Sequence, residues 1–69
     1  MTFQIEEHIT ARQIRRGDVF VLHGHVRTAD SPAWPSFDGH VHIGFVGGGD
    51  ATVPADKPIT VTRTVADAA

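Results

Sequence analysis

Residues 19 to 26 read VFVLHGHV, a run of β-branched and aromatic residues that follows Gly17-Asp18 and ends in a His-x-His pair. Taken as one strand, it divides by the period of two, with Phe20, Leu22 and Val26 on one face and Val19, Val21, His23 and His25 on the other. The first face is the better lining for a core. HVHIGFV at residues 40 to 46 repeats the pattern, setting Val41, Ile43 and Phe45 against His40, His42, Gly44 and Val46. Two such stretches predict a sheet.

Working outward, Phe3 and Ile5 alternate with Gln4 and Glu6, which predicts a first strand over about residues 2 to 8. In TARQIRRGD, Thr10 and Gln13 have the spacing of a capping box, so one helical turn is expected before Gly17 ends it. Ile14 on that turn would plug one end of the fold. Beyond the second His-x-His run, GGGD breaks the chain, ATV forms a short strand and PADKP turns it. ITVTRTV then closes the order with Ile59, Val61 and Val65 inward and Thr60, Thr62 and Thr64 outward. The expected core is Phe20, Leu22, Val41, Ile43, Phe45 and Val61. Residues 1–65 read as a single small domain, and ADAA at 66–69, with nothing to bury, as a frayed tail.

About five short strands with one helical turn close most economically into a barrel, since closure removes the exposed edges of an open sheet. The expected class is all-β, a five-stranded SH3-like barrel with one short helical turn. ITARQIRRGDVFVL, residues 9 to 22, resembles the Ala-x-x-Ile-x-x-Gly-Asp opening of many small barrel proteins, and more distantly that of the N-terminal SH3-like barrel of elongation factor P. VPADKPITVTR, residues 53 to 63, resembles the C-terminal end of short proteins of actinobacteria and their phages. The resemblance implies a barrel and brings no catalytic residue with it.

At 69 residues the chain has room for one small core. It has no cysteine, so neither a disulfide nor a thiolate zinc site can brace that core. A net charge of −2 and a pI near 6.1 argue against a dedicated nucleic-acid binder. The opening MTFQIEEHIT has no basic n-region and no apolar run, and the chain reads as soluble and cytoplasmic.

The four histidines at 23, 25, 40 and 42 raise a metal question. If the two strands paired with His25 opposite His40 and His23 opposite His42, all four would share one face, with neighbouring Cβ atoms about 4.5 to 5.5 Å apart. The competing reading places them as the solvent face of a ribbon, which needs polar residues in any case. Neither a third ligand element nor a carboxylate partner for each ring is visible in the sequence. His8, beside Glu6 and Glu7, reads as a surface residue. Arg16-Gly17-Asp18 matches the adhesion tripeptide, but a turn before a strand explains it better. Gly47 to Gly49 precede no helix that could hold a phosphate and read as a hairpin connection.

The loop RTADSPAWPSFDG carries Trp34 between two prolines. Trp34 and Phe37 either anchor a partner or, in the case of Trp34, fold back as a lid on the core. Arg12, Arg15 and Arg16 gather on the helical turn. With no nucleophile, acid–base pair or cofactor motif in view, the chain reads as a non-enzymatic binding module without cofactor or metal. It would contact a protein partner or a second copy through Trp34, Phe37, Arg12, Arg15 and Arg16. The alternatives are a nucleic-acid-associated barrel using the arginine turn and a histidine-based metal-binding protein.

Overall fold

The computed structural model describes residues 2 to 66, and these form seven strands and one 3₁₀ turn. In chain order they are β1 (Thr2–Thr10), the turn Ala11–Gln13, β2 (Val19–Leu22), β3 (His25–Thr28), β4 (Trp34–Pro35), β5 (His40–Gly44), β6 (Asp50–Pro54) and β7 (Pro58–Ala66). The all-β class is as the alternation requires. The tail expectation lies outside the described residues except at Ala66, which ends β7 opposite Thr2.

VFVLHGHV is not one strand. His23 and Gly24 take φ of 51° and 80°, the two left-handed positions of a type I′ turn, and fold the segment into the β2–β3 hairpin. Gly24 adopts that conformation without the steric penalty a Cβ would bring. A two-residue turn resets the side-chain parity: Val26 falls opposite Val21, away from the core, and is 70% exposed where the single-strand reading had placed it inward. Arg27 instead stands opposite Phe20 on the inner side, with its guanidinium 5.1 Å from the Phe45 ring centroid.

The proline-rich loop also contributes a strand. Trp34 and Pro35 pair with His42 and Val41, where the sequence reads as loop alone. β4 lies at the edge of its sheet, where a missing N–H costs no ladder bond. Asp38 and Gly39, with φ of 52° and 76°, make the second left-handed turn and lead into β5.

These turns give two antiparallel sheets, one ordered β1-β7-β2-β3 and one ordered β4-β5-β6. They are not closed into one five-stranded barrel. An isolated bridge, Ala29 to Phe45, joins the ends of β3 and β5. The core lies between the sheets: Phe20, Leu22, Ile59 and Val61 from the first meet Val41, Ile43, Phe45 and Val53 from the second. All six expected core residues are buried, and Phe20 and Phe45 pack as tilted rings with centroids 6.2 Å apart. Ile14 is buried, as the plug reading requires, and Gln13 Oε1 accepts from the Thr10 N–H at 3.0 Å, the Gln13 half of a capping box.

Gly17-Asp18 does more than turn the chain. Asp18 is the buried polar residue of the core region, 2% exposed, and its carboxylate accepts from Arg63 Nε at 2.9 Å, Arg63 Nη2 at 3.0 Å and the Arg15 N–H at 2.8 Å. Arg63 also donates to Glu7 at 2.8 Å and to the Gln13 carbonyl at 2.9 Å. Its pKa is raised, first by the hydrogen bonds to Asp18 and further by the two nearby carboxylates. A raised arginine pKa contributes stability that is lost only as pH climbs through the folded-state value, far into alkali, so Arg63 stays charged across the neutral range.

Two outcomes follow. Phe45→Ala removes the ring between Phe20 and Arg27 and is expected to cost about 3 to 5 kcal/mol, read as a large loss of Tm in thermal denaturation. Asp18→Ala removes two hydrogen bonds from Arg63 and one from the Arg15 N–H, leaving the guanidinium on Glu7 and the Gln13 carbonyl, and is expected to cost about 1 to 3 kcal/mol. An unchanged Tm in either variant would contradict the packing described.

Candidate functional site

On β5, Val41 and Ile43 point to the core, so His40 and His42 point outward. Residues directly opposite one another in a ladder share a face. Trp34 and Thr52 therefore flank His42 on the outer surface of the three-stranded sheet. Phe37, in the turn, stacks on the His40 ring with centroids 5.2 Å apart and an interplanar angle of 19°. The His40 Nδ1 lies 3.0 Å from the Asp38 carbonyl, which can only accept, so that nitrogen carries its hydrogen. His42 Nε2 stands 3.4 Å from an Asp50 carboxylate oxygen. The result is one outer face bearing Trp34, Phe37, His40 and His42.

Trp34 is 62% and Phe37 66% exposed, so the lid reading of Trp34 is overturned. The ladder register is the reason: Pro35, not Trp34, lies opposite the inward Val41. The loop is nevertheless held. The Ser36 N–H donates to the His40 carbonyl and the Ala33 N–H to that of Ile14, at 2.9 and 3.1 Å.

All three arginines of the turn are exposed, but the structure divides them. Arg12 lines an open depression of about 330 Å³ with Ala33, Pro35, Val41 and Ala55 on the inner side of β4, bordering the aromatic face at His40. Arg15 and Arg16 line a different one, of about 580 Å³, shared with Glu7, Asp18 and Arg63. A third, of about 410 Å³, lies over the outer face of the four-stranded sheet at Val21, Val26, Thr60 and Thr62. The sequence missed its apolar character because Val26 was read as inward.

The four histidines do not converge. His23 sits in the β2–β3 turn and His25 opposite Leu22, while His40 pairs with Pro54 and His42 with Thr52 and Trp34 on the other sheet. The register that set His25 against His40 is replaced by two separate hairpins. Among the described residues, no three His, Asp or Glu side chains gather closely enough to hold a metal ion. His8 is exposed, with Nδ1 2.9 Å from Thr60 Oγ1. Asp18 is committed to Arg63, which removes the acidic end of the adhesion tripeptide from solvent. Among the described residues, no helix is long and apolar enough to cross a membrane.

Compared with protein-family models, with curated proteins and with solved structures, the chain matches none. Its functional reading therefore rests on this geometry.

Zinc and chelator supply a direct check on the histidines. A metal that binds only the folded state raises Tm with its concentration. With no converging set, excess zinc or EDTA is expected to shift the Tm of untagged protein by less than about 1 °C, and a saturable zinc-dependent rise would contradict this.

Proposed function

We propose that the protein is a non-enzymatic binding module that contacts a protein partner through the outer face of the three-stranded sheet. The observation that carries this reading is the pair of large aromatic side chains, Trp34 and Phe37, both more than half exposed on a loop already tied into the sheet. Exposed tryptophan and arginine are the residue types on which binding energy concentrates. A loop held by a ladder and two prolines loses little freedom when a partner arrives, so more of the contact energy appears as affinity. Arg12 stands across β4 from that face, in the depression lined by Pro35, Val41 and Ala55, and meets its border at His40. The partner chemistry that fits is an apolar or aromatic side chain laid against Trp34 and Phe37, with a carboxylate within reach of Arg12.

The small-barrel kinship of ITARQIRRGDVFVL and VPADKPITVTR belongs to this proposal, as do an actinobacterial or phage source and a cytoplasmic setting. Support for an SH3-like relationship comes from the Ile14 plug and the bridge between the sheet ends. The nucleic-acid alternative is less well supported, because Arg15 and Arg16 share their depression with Glu7 and Asp18 and are set apart from Arg12.

The experiment compares the wild type with a Trp34→Ala, Phe37→Ala double variant in capture from a host lysate, followed by titration of the purified captured protein. Wild type is expected to retain a defined protein that the double variant loses by more than about tenfold in Kd. The double variant should keep its stability within about 1 kcal/mol, as surface substitutions do. Equal capture by both proteins would refute the assigned face. Salt-sensitive binding to RNA or DNA that Arg15→Ala and Arg16→Ala remove would favour the alternative.

A further inference from the structure

β1 is an edge of the four-stranded sheet, and its nine residues pair with β7 on one side only. Which groups it leaves free follows from that ladder. The Ala11 N–H donates to the Lys57 carbonyl at 2.9 Å, continuing the β1–β7 register one pair beyond Thr10 and Pro58. By the alternation of an antiparallel ladder, Ile9, Glu7, Ile5 and Phe3 then direct their N–H and C=O groups to β7. Those of His8, Glu6 and Gln4 point to the open side. The Thr10 N–H, on the same open side, is taken by Gln13 Oε1, which sets the 3₁₀ turn against that end of the edge. The stretch from Thr2 to His8 stays clear. It contains no proline, lysine or bulge, three of the devices by which natural edges resist pairing, and its charges, Glu6 and Glu7, fall toward one end, leaving Thr2 to Ile5 uncharged.

The same stretch projects from the body of the fold. β2 pairs with β7 only at Val61 and Thr62, so beyond them β1 and β7 continue as a two-stranded ribbon, an arrangement of marginal stability in water. On its inner face Phe3 stands opposite Val65 and Ile5 opposite Arg63. Phe3 remains 50% exposed, an apolar side chain that its own chain does not cover.

We propose that β1 pairs antiparallel with β1 of a second copy, on a two-fold axis through Gln4. In such a pairing both inner faces lie on one side of the joined sheet, so odd positions meet odd and even meet even. A centre at Glu6 sets Glu6 against itself and Ile5 against Glu7. A centre at Ile5 sets Phe3 against Glu7. A centre at Glu7 sets two glutamates together and brings Gln4 onto Thr10, whose N–H is occupied. A centre at Phe3 sets Phe3 against itself and, among the described residues, joins only Thr2 to Gln4 besides, a shorter ladder that leaves Ile5 unpaired. The Gln4 centre alone places Phe3 of each copy opposite Ile5 of the other, with Thr2 opposite Glu6. Among the described residues it opposes no like charges and sets no apolar side chain against a charge. It gathers Phe3, Ile5 and Val65 of both copies into one apolar cluster and leaves the two cores at opposite ends of the ladder.

The surface is small, below about 1,200 Å² in total, so a weak, concentration-dependent dimer is expected. The test measures the mass of the full chain by sedimentation or light scattering between about 10 μM and about 1 mM, a range suited to weak interfaces. Wild type should move toward twice its monomer mass. Gln4→Pro removes a donor from the open edge and no bond to β7, and Gln4→Lys sets two cations together at the axis; both should remain at monomer mass with the wild-type circular dichroism spectrum. Gln4→Lys decides the matter should the proline variant fail to fold. Amide exchange should slow at Gln4 and Glu6 as wild-type concentration rises, and stay constant at Ile5. A wild type that is monomeric at the top of the range would overturn the proposal, as would a dimer that survives Gln4→Lys. A dimer lost in the Trp34→Ala, Phe37→Ala variant but kept in Gln4→Lys would overturn it in favour of the aromatic face. The proposal does not depend on that face, whose own test is partner capture.

Discussion

The fold depends on one guanidinium. Arg63 on β7 reaches Glu7 on β1, the Gln13 carbonyl of the 3₁₀ turn and the Asp18 carboxylate at the entry to β2, so four separate pieces of chain meet on one side chain. Burying a carboxylate such as Asp18 is costly unless it is paired and hydrogen-bonded, and here both oxygens have donors. A lysine could not serve as well. Its single ammonium lacks the planar fork that lets Arg63 face two oxygens of Asp18 and still reach Glu7. In a chain without cysteine, this network stands where a disulfide would, fixing how β1, the turn and β2 approach β7.

Much of the core was legible because alternation reports burial wherever the strand is real. Val41, Ile43 and Phe45, Phe20 with Leu22, and Ile59 with Val61 all lie inward as their spacing requires. The Gln13 cap and the Ile14 plug were equally readable, being local chemistry at fixed spacing. Three of the failures trace to one place. A two-residue left-handed turn at His23-Gly24 shifts side-chain parity by one, and histidine is not among the residues that announce such a turn. From that single omission followed the wrong face for Val26, the continuous strand and the four-histidine register. Arg63 was hidden for a different reason: it sits in an alternating threonine strand, and only the tertiary pairing with Asp18 and Glu7 reveals its role.

The candidate site was half legible. That Trp34 and Phe37 stand on a proline-flanked loop could be read from the sequence; that both face solvent could not, because it follows from the pairing of Trp34 with His42 in a ladder that no alternation in the loop announces. The histidines at 40 and 42 belong to the site after all, not as ligands but as the surface on which Phe37 stacks and beside which Trp34 lies. The arginine turn, read as one patch, is divided by the fold into Arg12 near the aromatic face and Arg15 and Arg16 beside the Asp18 network.

The aromatic face and the β1 edge lie on different sheets, and this separation has a physical basis. The four-stranded sheet carries the ionic network and the open β1 edge, whereas the three-stranded sheet carries the aromatic face. They are joined by the core they share, in which Phe20 and Arg27 pack against Phe45, and by the Ala29–Phe45 bridge. A partner laid on Trp34 therefore touches no residue of the β1 edge, and pairing of β1 covers no residue of the aromatic face. Copies joined through β1 would present two aromatic faces, one on the three-stranded sheet of each copy. A partner with two matching sites would then gain from the high effective concentration of the second face, provided its own geometry spans the pair. Weak self-association is enough for this, since the partner's binding would itself favour the joined state.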